Sequence, residues 1–474
     1  MRNEWNVEIN TAANPPFHHS IIPPFFYLAA VQQPERIPLR KLIYYGIGGF
    51  GWSLSINIIT VYLLYFYLPP SNSGMKNLVS QTVYLGVFNI IAIILASGRL
   101  FDAVVDPLIA QFSDKSKHAL GRRIPLMRWA VLPMSVFGVL LFFPPVQGEA
   151  TINIFWLSGI QLFYYFCFGL YVIPHNALIA ELGHYEGGKM HVSTAQAVGF
   201  IIGAAFSSVT PVFADVFEHF MITTSRMQSL QYAIIVMNCI GAFAMALPAF
   251  AIDEKRYCAL SVNEESIWQS LGKALRNKNF LVFAITDCCY FMSIGIITTG
   301  LMYYTKSLLL QEESTGTILM GVMVIVTLIF YPIVNMAEKK FSKKRIMILC
   351  FMAMAGVFGN IFYLGKFPFS LFMQGVMLMV VFGIPDSFLG ILPNTVIADI
   401  AQADAKRTGQ NNEGMYFGMR ALFQKLGQTM GIMIFAMLTL YGKDPGHDFG
   451  LRLSGIVGAM LCLSAALVYT QYKE

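Results

Sequence analysis

Charge is what this sequence lacks. Only 12% of its 474 residues are Asp, Glu, Lys or Arg, while 56% are hydrophobic, and its mean hydropathy is +0.59. Soluble domains carry about 25% charged residues, so this composition cannot clothe a water-facing surface and argues against a soluble multidomain enzyme. Short alternating segments, the mark of a membrane β-barrel, are also missing. No Cys-x-x-Cys pair, His/Cys ligand cluster or nucleophile–base pair stands out. The GxG at Gly46 and the pair Thr408-Gly409 are too short for nucleotide motifs. No enzyme, metal site or cofactor is therefore expected. Of seven cysteines only Cys258 lies outside an apolar run, so they read as packing residues. The net charge of +6 fits basic loops beside a membrane, with no nucleic-acid partner.

What the chain does have is apolar runs at regular spacing. They cover 43–67, 82–111, 124–146, 152–181, 191–214, 229–252, 279–305, 315–337, 346–365, 369–402, 413–441 and 450–471. A spanning helix needs about 20 apolar residues, so the expected fold is an all-α integral membrane protein of twelve transmembrane helices. Residues 1–40 form a polar, proline-rich tail without a signal-peptide pattern and are expected to be flexible and cytoplasmic. Residues 41–252 make a first six-helix bundle, 253–278 a charged cytoplasmic loop and 279–474 a second six-helix bundle. Alternate loops hold eighteen basic residues on one side and six on the other, which places both termini in the cytoplasm. Dense basic loops at matching places, Gly121-Arg122-Arg123 and Lys343-Lys344-Arg345, suggest duplication. Two such halves with a polar cavity between them describe many alternating-access carriers.

Some charges fall inside the spans, where each costs about 2.5–3.5 kcal/mol at the bilayer centre. Asp102 and Asp106 share one helix face at i,i+4, with Arg99 three residues earlier. Paired carboxylates can hold a cation, or a proton because neighbouring anions resist ionising together; the alternative is a salt-bridged packing cluster with Arg99 and Lys425. Lys425, among Gly427, Gln428 and Gly431, can neutralise them when no cation is bound. Arg420, nearer a helix end, is expected to snorkel to water, and Asp287 to be structural. Asp386 lies where Pro385 and Pro393 are expected to break their helix. His175 and Asn176 follow Pro174 in the fourth span, a polar break suited to a polar solute, although a lone buried histidine is more often simply satisfied.

A family resemblance rests on residues spread along the chain. They are Gly46 to Gly51, Arg99-Leu100-Phe101-Asp102 with Val105-Asp106-Pro107, Ser113-Asp114 with Gly121-Arg122-Arg123, Pro174-His175-Asn176, Ala398-Asp399-Ile400, and Arg407-Thr408-Gly409 with Glu413-Gly414. Together the chain from 41 to 472 resembles the glycoside–pentoside–hexuronide:cation symporters of the major facilitator superfamily, the melibiose permease group. The resemblance implies twelve helices in two halves and coupling of solute uptake to Na⁺, Li⁺ or H⁺. It also implies cation-coupling roles for Asp102, Asp106 and Lys425, and a cytoplasmic gating motif of Asp114, Arg122 and Arg123. The galactoside-binding positions depart from the family, with Ser53, Val172, Asn176, Gln196 and Gly390 where acids, tryptophans or an arginine would stand. Val105 replaces a family asparagine, which favours H⁺ over Na⁺.

The sequence thus predicts a cation-coupled secondary transporter of a small polar solute, a sugar or glycoside, in a bacterial inner membrane. It is expected to act as a monomer among membrane lipids. Cation coupling would fall to Asp102, Asp106, Lys425 and Arg99. Solute would meet Ser53, Thr60, His175, Asn176, Gln196 and Asp386. Two alternatives are a carrier of a non-sugar solute such as a lysolipid, and a non-transporting receptor or scaffold.

Overall fold

The computed structural model describes residues 34–473 apart from 81–82, 85–87, 117, 186–187, 221, 224, 259–271, 273–274 and 409–412. Most of the expected N-terminal tail and half of the central loop therefore lie outside the described residues. Lipid offers the backbone no hydrogen-bond partners, so apolar runs of this length close their bonds internally as helices. The first half contains α1 (Leu39–Tyr67), α2 (Ile90–Lys115), α3 (Ile124–Leu140), α4 (Thr151–Leu182), α5 (Gly188–Ser207) and α6 (Arg226–Ala251). The second contains α7 (Lys278–Tyr303), α8 (Glu313–Glu338), α9 (Lys343–Ile361), α10 (Leu371–Thr408), α11 (Glu413–Leu438) and α12 (Phe449–Tyr469). Among the described residues ten stretches, all but α2 and α3, are long and apolar enough to cross a bilayer by themselves. Helix α3 is apolar but short, and α2 carries Arg99, Asp102 and Asp106 within its length.

Three local differences from the sequence reading have physical causes. Helix α2 starts at Ile90, eight residues late, because Val83 pairs with Asn89 and Tyr84 with Phe88 in a small antiparallel ladder; aromatic and β-branched residues favour such pairing. The fifth span is interrupted at 208–209 and resumes as a ten-residue helix, Thr210–His219, with Pro211 in its first turn, where the missing N–H is harmless. Helix α10 runs unbroken through Pro385 and Pro393, as membrane helices can when neighbours accommodate the freed carbonyls.

The packing repeats with a period of six helices. Helix α1 contacts α5 and α6, α3 contacts α4 and α6, and α2 contacts α4; each pairing recurs between the helices numbered six higher. Glycines set the tightest of these pairs. A Cβ on Gly199 of α5 would sit 1.9 Å from the Gly46 carbonyl oxygen of α1, and one on Gly431 of α11 would sit 2.1 Å from the Met292 carbonyl oxygen of α7. Backbones approach this closely only where small residues line the contact. Between the halves, α2 meets α11, α5 and its continuation meet α8, and α1 meets α7, a set that maps onto itself when the halves are exchanged.

Candidate functional site between the two bundles

The contact of α2 with α11 brings the intramembrane charges together across the two halves. Lys425 Nζ lies 2.9 Å from Asp102 Oδ2 and also donates to Asp106 Oδ2. Asp102 is 1% exposed, Asp106 18% and Lys425 28%. The other oxygen of each carboxylate, Oδ1, is buried without a hydrogen-bond partner. Both Oδ1 atoms look toward Gly169 of α4, where a Cβ would be 3.3 Å from Asp106 Oδ1 and 4.0 Å from Asp102 Oδ1. The Ile109 methyl packs at the same position, 2.8 Å from such a Cβ, so the two free oxygens sit in dry, close-packed surroundings. The chemistry there suits a proton or a small cation.

Arg99 does not join this cluster. Its guanidinium donates to Thr60 Oγ1 of α1 at 2.7 Å and lies over the Tyr165 ring of α4, 5.3 Å from the centroid. Among the described residues no carboxylate is in ion-pair range of it. Thr60 donates in turn to the Ile56 carbonyl.

The remaining residues expected to meet solute fall into three groups. Asn176 and Gln196 bond to each other, and Asn176 is exposed. Asp386 accepts from Tyr290 at 3.1 Å and Thr327 at 3.4 Å. Ser53 and His175 are fully buried inside the first bundle. Ser53 donates to the Phe200 carbonyl, and His175 stacks on Tyr45 at 4.2 Å with its Nε2 at the Tyr45 carbonyl. Both of these side chains hold α1 against its neighbours.

Arg420, expected to snorkel, is instead 7% exposed. It pairs with Asp287 at 3.0 Å, donates to Asn394 and lies over Phe283. Because α7 and α10 converge on α11 here, the guanidinium satisfies a buried carboxylate without reaching water.

Each face of the bundle has its own polar network. At the face with the basic loops, Arg122 and Arg123 both contact Glu181 of α4 at 3.1 Å, and Arg123 donates to Ser113 of α2. The Glu254 carboxylate accepts the backbone N–H groups of Arg122, Arg123 and Ile124 at 2.6–2.9 Å, a carboxylate at a helix N-terminus. This network ties α2, α3, α4 and the chain after α6 together within one half. Asp114 lies in α2, and its side chain lies outside the described residues. Glu181 and Glu254 gave no signal beyond being acids beside a span.

At the opposite face the polar contacts cross between halves. Glu313 of α8 is 1% exposed, accepts from Tyr65 of α1 at 2.6 Å and pairs with Arg226 of α6 at 2.8 Å. Lys443, after α11, donates to the Leu68 and Pro69 carbonyls and to Asn77. Tyr303 of α7 donates to the Leu68 carbonyl at 2.8 Å. Sequence reading counted Arg226 and Lys443 only as loop charges, because Glu313 lies 87 residues from Arg226 and the partners of Lys443 lie 366–375 residues away.

Two six-helix halves, related by an internal repeat and joined by charges buried at their interface, define a membrane carrier of the major facilitator fold. A family model described as "MFS/sugar transport protein" matches residues 44–442. The chain belongs to that family. A putative sulfoquinovose importer of Salmonella typhimurium is 24% identical over 86% of this chain and 83% of its own length. A raffinose carrier protein of Pediococcus pentosaceus is 21% identical over 88% of this chain and 64% of its own. The crystal structure of a D-xylose-proton symporter superposes with a TM-score of 0.65 at 12% identity, covering 91% of this chain and 97% of that one. The protein is thus a secondary active transporter of the sugar-symporter type and not an enzyme.

Proposed function

We propose that the protein imports a sugar or glycoside together with a cation, H⁺ in preference to Na⁺, across a bacterial inner membrane with both termini in the cytoplasm. The cross-half ion pair carries this reading: the ammonium of Lys425 on α11 occupies two carboxylates of α2. A cation entering at the orphaned Oδ1 atoms competes with that ammonium and frees α11 from α2. The free carboxylate oxygens lie against the Ile109 methyl and the Gly169 backbone, with no further oxygen ligand near that position; so few and so dry a set of ligands supports the proton. The basic loops favour the cytoplasm as their side. In that orientation the face where Glu313 and Lys443 join the halves is external, and Asn176 and Asn394, exposed on helices that run toward the basic loops, lie nearer the cytoplasm. Solute would contact Asn176, Gln196, Thr60 and Asp386, and the protein would work as a monomer, because one chain supplies both halves of the interface.

Relatives named for sulfoquinovose, raffinose and lactose support a sugar as cargo. The test is sugar accumulation in proteoliposomes under an imposed pH or Na⁺ gradient. Asp106→Asn should abolish gradient-driven accumulation while sugar counterflow persists. Full accumulation by that variant would remove the coupling role from the pair.

A further inference from the structure

Helix α10 has two open faces. One carries Met373, Met377 and Val381, each about half exposed, and is the lipid side. The other runs opposite: at about 100° per residue, Gly390 lies about 180° from Val381, yet Gly390 and Asn394 are exposed and Asp386 is half-buried. A polar stripe turned away from lipid faces a water-filled space inside the protein. The three residues follow at i, i+4 and i+8, so they stack along one face, with Asp386 and Asn394 about 12 Å apart along the axis. Neighbouring helices hold the two polar ends. Asp386 accepts from Tyr290 of α7 and Thr327 of α8, and among the described residues no cation is in ion-pair range of it. Its oxygens keep room for further donors. Asn394 Oδ1 is taken by Arg420 of α11, itself fixed by Asp287. The amide nitrogen donates to the Gly390 carbonyl at 3.3 Å and has a second N–H to spare. Between these ends the helix is bare. A Cβ on Gly390 would meet only the Tyr331 hydroxyl of α8, at 3.7 Å, and that hydroxyl is close enough to Asp386 to interact with its charge.

We propose that Tyr331, Gly390 and Asn394 join Asp386 in a shelf on the second half that holds one hydroxylated ring of the solute. The proposal rests on the transport reading above and deepens it, because it names what grips the ring and which position limits its size. The ring lies against Gly390, where the backbone presents an apolar Cα surface. Hydroxyls toward one end donate to the Asp386 carboxylate, a charge-assisted contact and the stronger one. Those toward the other end accept from the spare Asn394 N–H, and the Tyr331 hydroxyl can donate or accept between them. Arg420 acts through Asn394 as a positioning residue: its charge is matched by Asp287, and a remaining N–H fixes which way the amide points. Any side chain at 390 would occupy the place of the ring. A glycine inside a helix costs stability relative to alanine, and the shelf gives this one a use that packing does not.

The test is calorimetric binding of glucose, lactose and raffinose to the full chain in lipid nanodiscs, with the melting of each variant measured alongside. Gly390→Leu enters open space and replaces a helical glycine, so melting should not fall. Affinity for every sugar that the wild type binds should nevertheless drop by at least about 10-fold. Gly356→Leu of α9, at another open and exposed helix position, should leave affinity unchanged. Asn394→Asp keeps the acceptor that Arg420 uses and removes the spare N–H, and Tyr331→Phe removes only a hydroxyl. Each should lower affinity about 3- to 10-fold, the loss of one neutral hydrogen bond. Wild-type affinity in Gly390→Leu, or equal losses in Gly390→Leu and Gly356→Leu, overturns the shelf and leaves sugar transport standing. If Gly390→Leu melts early, the two polar variants decide, and unchanged affinity in both overturns the shelf. Binding of none of the three sugars by the wild type overturns the sugar reading and the shelf with it.

Discussion

Removing the charge of Lys425 tests whether the central ion pair holds the halves together. In Lys425→Met, Asp102 and Asp106 keep their burial, at 1% and 18% exposure, but lose their cation. Breaking a buried pair from one side costs about 3–5 kcal/mol. The ammonium is 28% exposed, so the lower end, about 3 kcal/mol, is expected. Asp106→Asn leaves Lys425 still paired with Asp102 and removes a like-charge neighbour, so its cost should be about 1–2 kcal/mol, a charged hydrogen bond. In the double variant the stranded anion at 106 is absent. Its cost should fall short of the sum of the singles by about 1–3 kcal/mol, the range for groups in one network. The assay is equilibrium unfolding by SDS titration in mixed micelles for the four proteins of the cycle. Additivity within about 0.5 kcal/mol would refute the claim that these three side chains act as one unit.

Two further perturbations probe the scaffold. Gly431→Ala places a Cβ 2.1 Å from the Met292 carbonyl oxygen, whereas Gly321 of α8 has open space around it; the first substitution should destabilise by about 1–3 kcal/mol through overpacking and the second should stabilise by about 0.4–1 kcal/mol. Equal effects in the same unfolding assay would contradict the backbone contact between α7 and α11. Lys443 lies in the loop after α11, where burial pulls its ammonium down to about 8 against the opposing pull of Asp444 and Glu149. Its folded value lies below its unfolded one, so the unfolded chain binds more protons between about pH 8 and 10.5 and stability contributed by this group rises through that window. Lys443→Met should flatten the rise; a slope identical to that of the wild type in melting curves from pH 8 to 10 would dismiss the group as its source.

The spans were legible because lipid leaves the chain one solution, and each run is long enough to show it. The Asp102–Asp106 carboxylate pair was legible because i,i+4 spacing on a helix fixes a shared face whatever the tertiary structure. Arg99 shows where such local geometry ends. Three residues from Asp102, it shares that side of α2, yet Thr60 of α1 and Tyr165 of α4 decide where its guanidinium goes. Arg420 was misjudged for a similar reason, and Glu313 went unremarked: near a span's end a charge has water as its default partner, and only the packed neighbours, Asp287 for one and Tyr65 with Arg226 for the other, replace it. The six-helix repeat was visible in the basic loops, but its tightest expression, glycine contacts of α1 with α5 and α7 with α11, needs both helices in view.

These contacts assign different mechanical roles to different seams. Within each half, α1–α5 and α7–α11 touch backbone to backbone, so they cannot slide without clashes and each half moves as a body. Between the halves, the seams are made of side chains that can exchange one partner for another. At the face away from the basic loops, Glu313 and Lys443 are buried in contacts between the halves; in the proposed cycle, opening that face would hydrate them, so water would replace their protein partners. At the centre no such replacement is at hand. Parting α11 from α2 would strand two carboxylates in the membrane interior unless something positive stays behind. In the proposed cycle that is the coupling cation, which must therefore arrive before Lys425 leaves. The same reasoning makes an empty carrier reluctant to part α2 from α11 alone, which is the property that turns two facing bundles into a coupled transporter instead of a leak.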